Sequence, residues 1–139
     1  MNPPAKFLPN GDTVMVVEFG EEIDLDISRR VTALYAGVNA LELAGITDLV
    51  PTFRSLAIHY DPEIVSFAGL ENTLAKILPD LPIDDFTGRD WSIPACYDLD
   101  LSPDFGAVAE ACSLSIEEVI QRHSSDTYHV YMVGVLPGY

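Results

Sequence analysis

Apolar side chains recur along this chain at two spacings, and the spacing predicts which segments are strands and which are helices. Residues 13–19 alternate between two faces and predict a strand. Asp24 can then cap a helix whose apolar stripe, spaced every three or four residues, continues to Leu41. Gly45 is expected to close this helix in a left-handed conformation.

The next segments predict two strands and a second helix. Residues 46–50 and 55–60 predict two short strands. A second apolar stripe from Phe67 to Leu78 predicts a helix, which Pro79 stops. The order β-α-β-β-α needs one more strand to become the split βαβ arrangement of ferredoxin-like domains.

The second half of the chain predicts a strand, two short helices and a last strand. Residues 91–97 are the first strand, and the pattern leaves open whether it completes the first sheet or begins a second lobe. Ser102, followed by proline, is expected to cap the first helix. Ser115 and Glu118 form a capping box for the second. The last strand is expected over 128–135.

Composition and charge narrow the classes of function. The 139 residues are 48% hydrophobic, and 7 basic against 22 acidic residues give a net charge of -15. This balance excludes a phosphate-backbone interface, so neither nucleic acid nor an anionic membrane surface is an expected partner. There is no signal-peptide pattern and no apolar run near the ~20 residues of a membrane span, so a cytoplasmic protein is expected.

Few residues offer chemistry. The three histidines, His59, His123 and His129, lack metal-ligand spacing, so no metal site is predicted. His123 closes a capped helix before a polar turn. The helix dipole favours a charged histidine at that end, so a structural role is the alternative to catalysis. Arg54 could receive a carboxylate or bridge surface acids, and the abundance of acids favours the second.

The last four residues form a sequence typical of a tight turn, Leu-Pro-Gly-Tyr. A strand that leads into such a turn needs a partner strand. The expectation is therefore that the chain is truncated, or that another chain supplies that strand.

Five segments, in order, resemble one protein family. Residues 128–139, YHVYMVGVLPGY, resemble the signature YxVYMLGFxPGFPYL, and residues 93–97, IPACY, resemble the strand IPVCYG. Residues 114–124 resemble the helix LSxEEVIxxHS. The segments 8–20 and 49–62 resemble GDxALLVEFG and VPxYRSLLVHYDP. The chain thus resembles the family of the 5-oxoprolinase B subunit, allophanate hydrolase subunit 1 and the kinase inhibitor KipI.

The resemblance implies an α+β protein of two lobes. A ferredoxin-like βαββαβ lobe is expected over 1–88, followed over 89–139 by the beginning of a cyclophilin-like β-barrel lobe with two short helices, which is expected to be truncated. Asp98 and Leu99 replace the Gly-Gly that follows the Cys-Tyr strand in the family, and Val135 replaces a Phe.

The resemblance also implies a function. The chain would be a non-ATPase subunit, or a fragment of it, in a 5-oxoprolinase-type complex that converts 5-oxoproline to glutamate. Its partners would be the C subunit of that complex (allophanate hydrolase subunit 2, or KipA) and the A subunit. ATP would be used by the partner subunit, with no cofactor bound by this chain. The alternatives are a KipI-like protein that binds and inhibits a histidine kinase, and a ferredoxin-like module that only assembles with other proteins.

Candidate site residues follow from positions within the matched segments. His123 and Tyr131 are the catalytic candidates, with His123 as acid or base and Tyr131 orienting the substrate. The substrate-binding candidates are Gly134, Leu136, Pro137 and Gly138. In the kinase-binding alternative, an exposed apolar face would include Val130, Met132 and Val135.

Overall fold

The computed structural model describes residues 4–83 and 88–133. These residues form two compact units, one of residues 4–83 with 130–133 and one of residues 88–129. The first unit contains four strands and two helices. In chain order these are β1 (Lys6–Pro9), β2 (Val14–Glu18), α1 (Leu25–Leu41), β3 (Ile46–Pro51), β4 (Ser55–Tyr60) and α2 (Phe67–Ile77), with a short 3-10 turn over Leu78–Asp80.

The four strands form one antiparallel sheet in the order β1-β2-β4-β3. The segment from β2 to α2 has the order β-α-β-β-α, and β4 lies between β2 and β3, which is the split arrangement of a ferredoxin-like fold. The α+β class is therefore confirmed.

The strand predicted over 91–97 is wrong, since these residues are irregular. In a ferredoxin-like sheet the last strand would pair with β2 at the edge of the sheet. Here the unpredicted strand β1 occupies that edge and pairs with β2 from Lys6↔Glu18 to Pro9↔Met15. The hydrogen-bonding edge of β2 is therefore already satisfied.

The core lies between one face of the sheet and the two helices. The buried residues alternate along β2 and β4 and recur at helical spacing along α1 and α2, as the sequence predicted. Burying each of these side chains contributes about 1.5–3 kcal/mol. They are Met15, Val17, Leu56, Ile58 and Tyr60 from the sheet, and Val31, Leu34, Val38, Leu70 and Leu74 from the helices.

The boundaries of α1 agree with the prediction at one end only. Asp24 Oδ1 accepts hydrogen bonds from Asp26 N at 2.9 Å and Ile27 N at 3.0 Å, so it is the N-cap. The left-handed residue after the helix is Glu42 (φ 44°), rather than the predicted Gly45. Gly45 has a φ of +90° but belongs to the turn before β3.

The second unit contains the two predicted short helices, α3 (Phe105–Cys112) and α4 (Ile116–Ser125). Asp104, two residues after the predicted Ser102, is the N-cap of α3. The strand predicted over 128–135 is wrong for residues 128–133, which have no strand partner among the described residues, and 134–135 lie outside them.

The domain ranges 1–88 and 89–139 stay a prediction, because compactness alone does not show that a unit folds independently. In the described ranges, every helix is too short or too polar to cross a bilayer.

The turn before β3 gives a test of the fold. A Cβ on Gly45 would lie 2.9 Å from Val65 Cγ1 and 3.0 Å from Ile64 Cγ2, at a φ that disfavours side chains. We expect Gly45→Ala to lower the free energy of unfolding by roughly 2–4 kcal/mol, from strain and crowding together. Urea unfolding measures the loss.

Gly11→Ala is the matched control. Gly11 also has a positive φ, +65°, but nothing lies within 4 Å of a Cβ built there. It carries backbone strain without crowding, so we expect a loss of about 1 kcal/mol. Equal losses in the two variants would contradict the crowding at Gly45.

Candidate functional site

Two of the six predicted site residues lie in the described part of the chain, and they belong to different units. His123 lies in the unit of residues 88–129, whereas Tyr131 belongs to the unit that contains the sheet. The remaining four, Gly134, Leu136, Pro137 and Gly138, lie outside the described residues. His123 lies close to other functional groups of its own unit.

Helix α4 positions His123. Ser115 Oγ accepts a hydrogen bond from Glu118 N at 3.2 Å, and Glu118 Oε2 accepts one from Ser115 N at 2.8 Å, which confirms the predicted capping box. The box defines where the helix begins. His123 then lies in the last turn, next to Arg122, where positive charge is favourable to the helix dipole.

The ring of His123 is held by Tyr97. His123 Nδ1 lies 2.7 Å from Tyr97 Oη, and the two rings meet edge to face with centroids 5.8 Å apart. Tyr97 is half-buried, and its ring lies 6.0 Å from that of Phe105 on α3. Phe105 and Ala109 are the buried hydrophobic residues of this unit's described range, so Tyr97 connects the imidazole to the unit's small core.

Tyr128 binds the main chain of His123. Tyr128 Oη donates a hydrogen bond to the carbonyl oxygen of His123 at 3.0 Å, and the two ring centroids are 5.6 Å apart. The last carbonyls of a helix have no partner within the helix, so this bond satisfies one of them. The position of His123 is therefore set by two tyrosines, one at the ring and one at the main chain.

His123 borders an open concavity of about 440 Å³. Its lining residues carry an imidazole, a guanidinium, a carboxylate, a thiol, a phenol and two apolar side chains. No three His, Cys, Asp or Glu side chains among the described residues are grouped to hold a metal ion. The lining residues are Cys112, Leu114, Val119, Arg122, His123, Asp126 and Tyr128.

Tyr97 and Tyr128 were not predicted as site residues. Both lie inside the matched segments, Tyr97 at the end of residues 93–97 and Tyr128 at the start of residues 128–139. Their position in those segments could have identified them as candidate site residues. That both phenols reach His123 depends on how the irregular segments flanking α3 and α4 fold back.

The other candidates are placed elsewhere. Arg54 Nη2 lies 3.7 Å from Glu18 Oε2, so Arg54 pairs with an acidic side chain as predicted, but that side chain is only 15% exposed. Tyr131 is half-buried, and its neighbours Val130 and Met132 are exposed. Val135, the third residue of the predicted apolar face, lies outside the described residues.

Comparisons with known proteins agree with the resemblance in the sequence. The profile of the family "Carboxyltransferase domain, subdomain C and D" matches residues 5–139. The chain is 34% identical over 143 residues to the 5-oxoprolinase B subunit of Bacillus subtilis (strain 168), covering 93% of this chain and 58% of that protein. The chain thus spans less than two thirds of this relative's length.

Solved structures support the same grouping. A conserved uncharacterized protein from Pyrococcus horikoshii is 32% identical with a TM-score of 0.52, over 95% of this chain and 61% of that one. The N-terminal domain of the histidine kinase inhibitor KipI from Bacillus subtilis is 23% identical with a TM-score of 0.50, over 62% of this chain and 95% of that one. The second likeness shows a shared fold.

The capping box predicts a pH dependence of α4. The pKa of Glu118 lies below its ordinary value of 4.5. The hydrogen bond from the Ser115 backbone is the main cause, and the hydrogen bond with the Ser115 side chain is the second. A carboxyl group whose pKa is lowered by folding stabilises the folded state above its unfolded pKa. This stabilisation is lost as the pH falls through the folded pKa, so we expect the first turn of α4 to loosen below about pH 4.5.

The amide proton shift of Ser115, followed by NMR between about pH 6 and pH 2.5, measures this loss. Glu118→Gln should abolish the transition, because an amide does not titrate there. Glu117→Gln is the matched control in the same helical turn and should retain it. A Ser115 transition that persists in Glu118→Gln would show that another group is responsible.

Proposed function

We propose a function from one premise: this chain belongs to the carboxyltransferase domain family, subdomain C and D. In this proposal the chain forms part of the non-ATPase subunit of a 5-oxoprolinase-type complex. The complex opens the cyclic amide of 5-oxoproline to glutamate at the expense of ATP. Because the chain spans 58% of the Bacillus subtilis protein, we assign the activity to the assembled complex and not to this chain alone.

The observation that supports this role best is His123, which is held at Nδ1 and lies at the border of a concavity. Opening an amide ring requires a proton for the departing nitrogen and the removal of one from the attacking water. An imidazole can exchange protons near neutral pH, which makes it suitable as the acid or base of such a reaction.

Arg122 supports the choice of an anionic substrate. 5-Oxoproline carries a carboxylate, and a guanidinium binds a carboxylate through two parallel hydrogen bonds. The chain has only 7 basic residues against 22 acidic ones, so most of its surface repels anions. The concavity is lined by Asp126 as well as by Arg122, and the guanidinium beside His123 is the group there that can pair with the substrate carboxylate.

The partners in this proposal are the A and C subunits of the complex. ATP binds to one of these partners, since this chain has no glycine-rich phosphate loop in its sequence. The contribution of this chain is to bind the small amide and to exchange protons with it. Tyr131, Gly134, Leu136, Pro137 and Gly138 remain proposed contributors to the substrate site.

The test uses the complete gene product that carries this sequence, co-expressed with the A and C subunits. We expect ATP-dependent hydrolysis of 5-oxoproline, measured as glutamate released. His123→Gln should lower kcat by about a hundredfold or more, in the range by which acid and base groups accelerate reactions. His59→Gln, on β4 of the other unit, is the control and should retain turnover.

Full activity in His123→Gln would remove His123 from the mechanism. An assembled complex without 5-oxoproline turnover would overturn the proposed substrate. If the gene product instead binds a histidine kinase at micromolar concentration and lowers its autophosphorylation, the regulatory alternative replaces the proposed enzyme.

A further inference from the structure

We propose that Tyr97 is a positioning residue that holds the neutral ring of His123 as the tautomer protonated at Nε2, so that His123 meets the substrate as a hydrogen-bond donor. This inference rests on the proposed function and deepens it, because it assigns His123 the role of a neutral hydrogen-bond donor to the substrate. The substrate group that it recognises is an acceptor, the carbonyl oxygen of the amide.

The first step of the argument is the distance between the two side chains. At 2.7 Å, Tyr97 Oη and His123 Nδ1 are at the short end of the range for hydrogen bonds. A phenol has one proton to donate, and a neutral imidazole has one nitrogen with a lone pair and one that carries hydrogen. A bond of this length therefore couples the tautomer of the ring to the direction of the phenol's hydrogen.

The second step is the direction of donation. Imidazole nitrogen is a better acceptor than a phenolic oxygen, and phenol O–H is a better donor than a neutral imidazole N–H. The favourable arrangement has Tyr97 donating to Nδ1, which leaves the ring proton on Nε2. Among the described residues, no other side chain forms a hydrogen bond with this imidazole, so Nε2 is the nitrogen available to a ligand.

The third step is the rigidity of the pair. The edge-to-face contact with Tyr97 limits rotation of the imidazole, and Tyr97 itself packs on the buried Phe105. Tyr128 fixes the carbonyl of His123 and makes no hydrogen bond to the ring nitrogens. The two tyrosines thus have separable roles, since Tyr97 acts on the ring and Tyr128 on the main chain.

The consequence concerns charge in the reaction. When water attacks an amide, negative charge grows on the carbonyl oxygen, and a preorganised donor stabilises it more in the transition state than in the ground state. A neutral imidazole with its proton on Nε2 supplies such a donor. A freely rotating ring would present its acceptor nitrogen for part of the time and lose this advantage.

The first experiment is independent of turnover. Long-range ¹H–¹⁵N correlation spectra of the ¹⁵N-labelled chain at about pH 8.5, where an ordinary imidazole is neutral, report the tautomer of His123. The expected result is one tautomer with the proton on Nε2. Tyr97→Phe should move both nitrogen shifts toward those of a mixture, whereas Tyr128→Phe should retain the pattern of the parent chain.

A mixed tautomer in the parent chain, a proton on Nδ1, or an unchanged pattern in Tyr97→Phe would each overturn the inference. Backbone amide spectra of the variants establish that they are folded, so that a shift change is not the result of unfolding.

The second experiment measures turnover in the assembled complex. Tyr97→Phe should lower kcat for 5-oxoproline by about tenfold or more with KM changed less than about twofold, because the lost donor acts on the transition state. Tyr35→Phe on α1 is the activity control. Turnover that requires His123 but is unaffected by Tyr97→Phe would overturn the positioning role and leave the proposed function intact. A single tautomer that depends on Tyr97, in a complex without turnover, would overturn only the proposed function.

Discussion

The pairing of β2 with β4 is the constraint on which the first unit depends. Met15 lies opposite Ile58 and Val17 opposite Leu56, so the buried residues of both strands face the same side of the sheet. A slip of one residue would turn every one of these side chains to the other side. The helices α1 and α2 can cover the sheet only in this register, because their stripes, centred on Leu34 and Leu70, need the apolar face to pack against.

The unit around His123 is stabilised in a different way. Its buried hydrophobic residues in the described range are only Phe105 and Ala109, so little of its structure follows from a core. The capping box of α4 and the contacts of Tyr97 and Tyr128 supply specific hydrogen bonds instead. Directional bonds fix side-chain geometry more closely than apolar contact does, and the role proposed for His123 depends on that geometry.

The charge of the chain bears on which ligands the concavity can bind. With a net charge of -15, a bound anion needs a local cation to overcome general repulsion. Arg122 and His123 are adjacent in the last turn of α4, where the helix dipole also favours positive charge. In the proposed site Arg122 is therefore the cation for an anionic ligand, and Asp126 places a carboxylate on the same wall.

The sequence by itself determined the features that depend on neighbours along the chain. The apolar stripes of α1 and α2, the alternation in β2 and β4 and the capping box at Ser115 are local patterns, and the structure confirms them. The family could also be identified from the sequence, because the five matched segments occur in the order that the family has. Tertiary structure alone decided that β1 takes the edge of the sheet and that residues 91–97 are irregular. It also decided that Tyr97, 26 positions from His123, binds its ring, because side-chain hydrogen bonds across such a separation depend on how the intervening chain folds back.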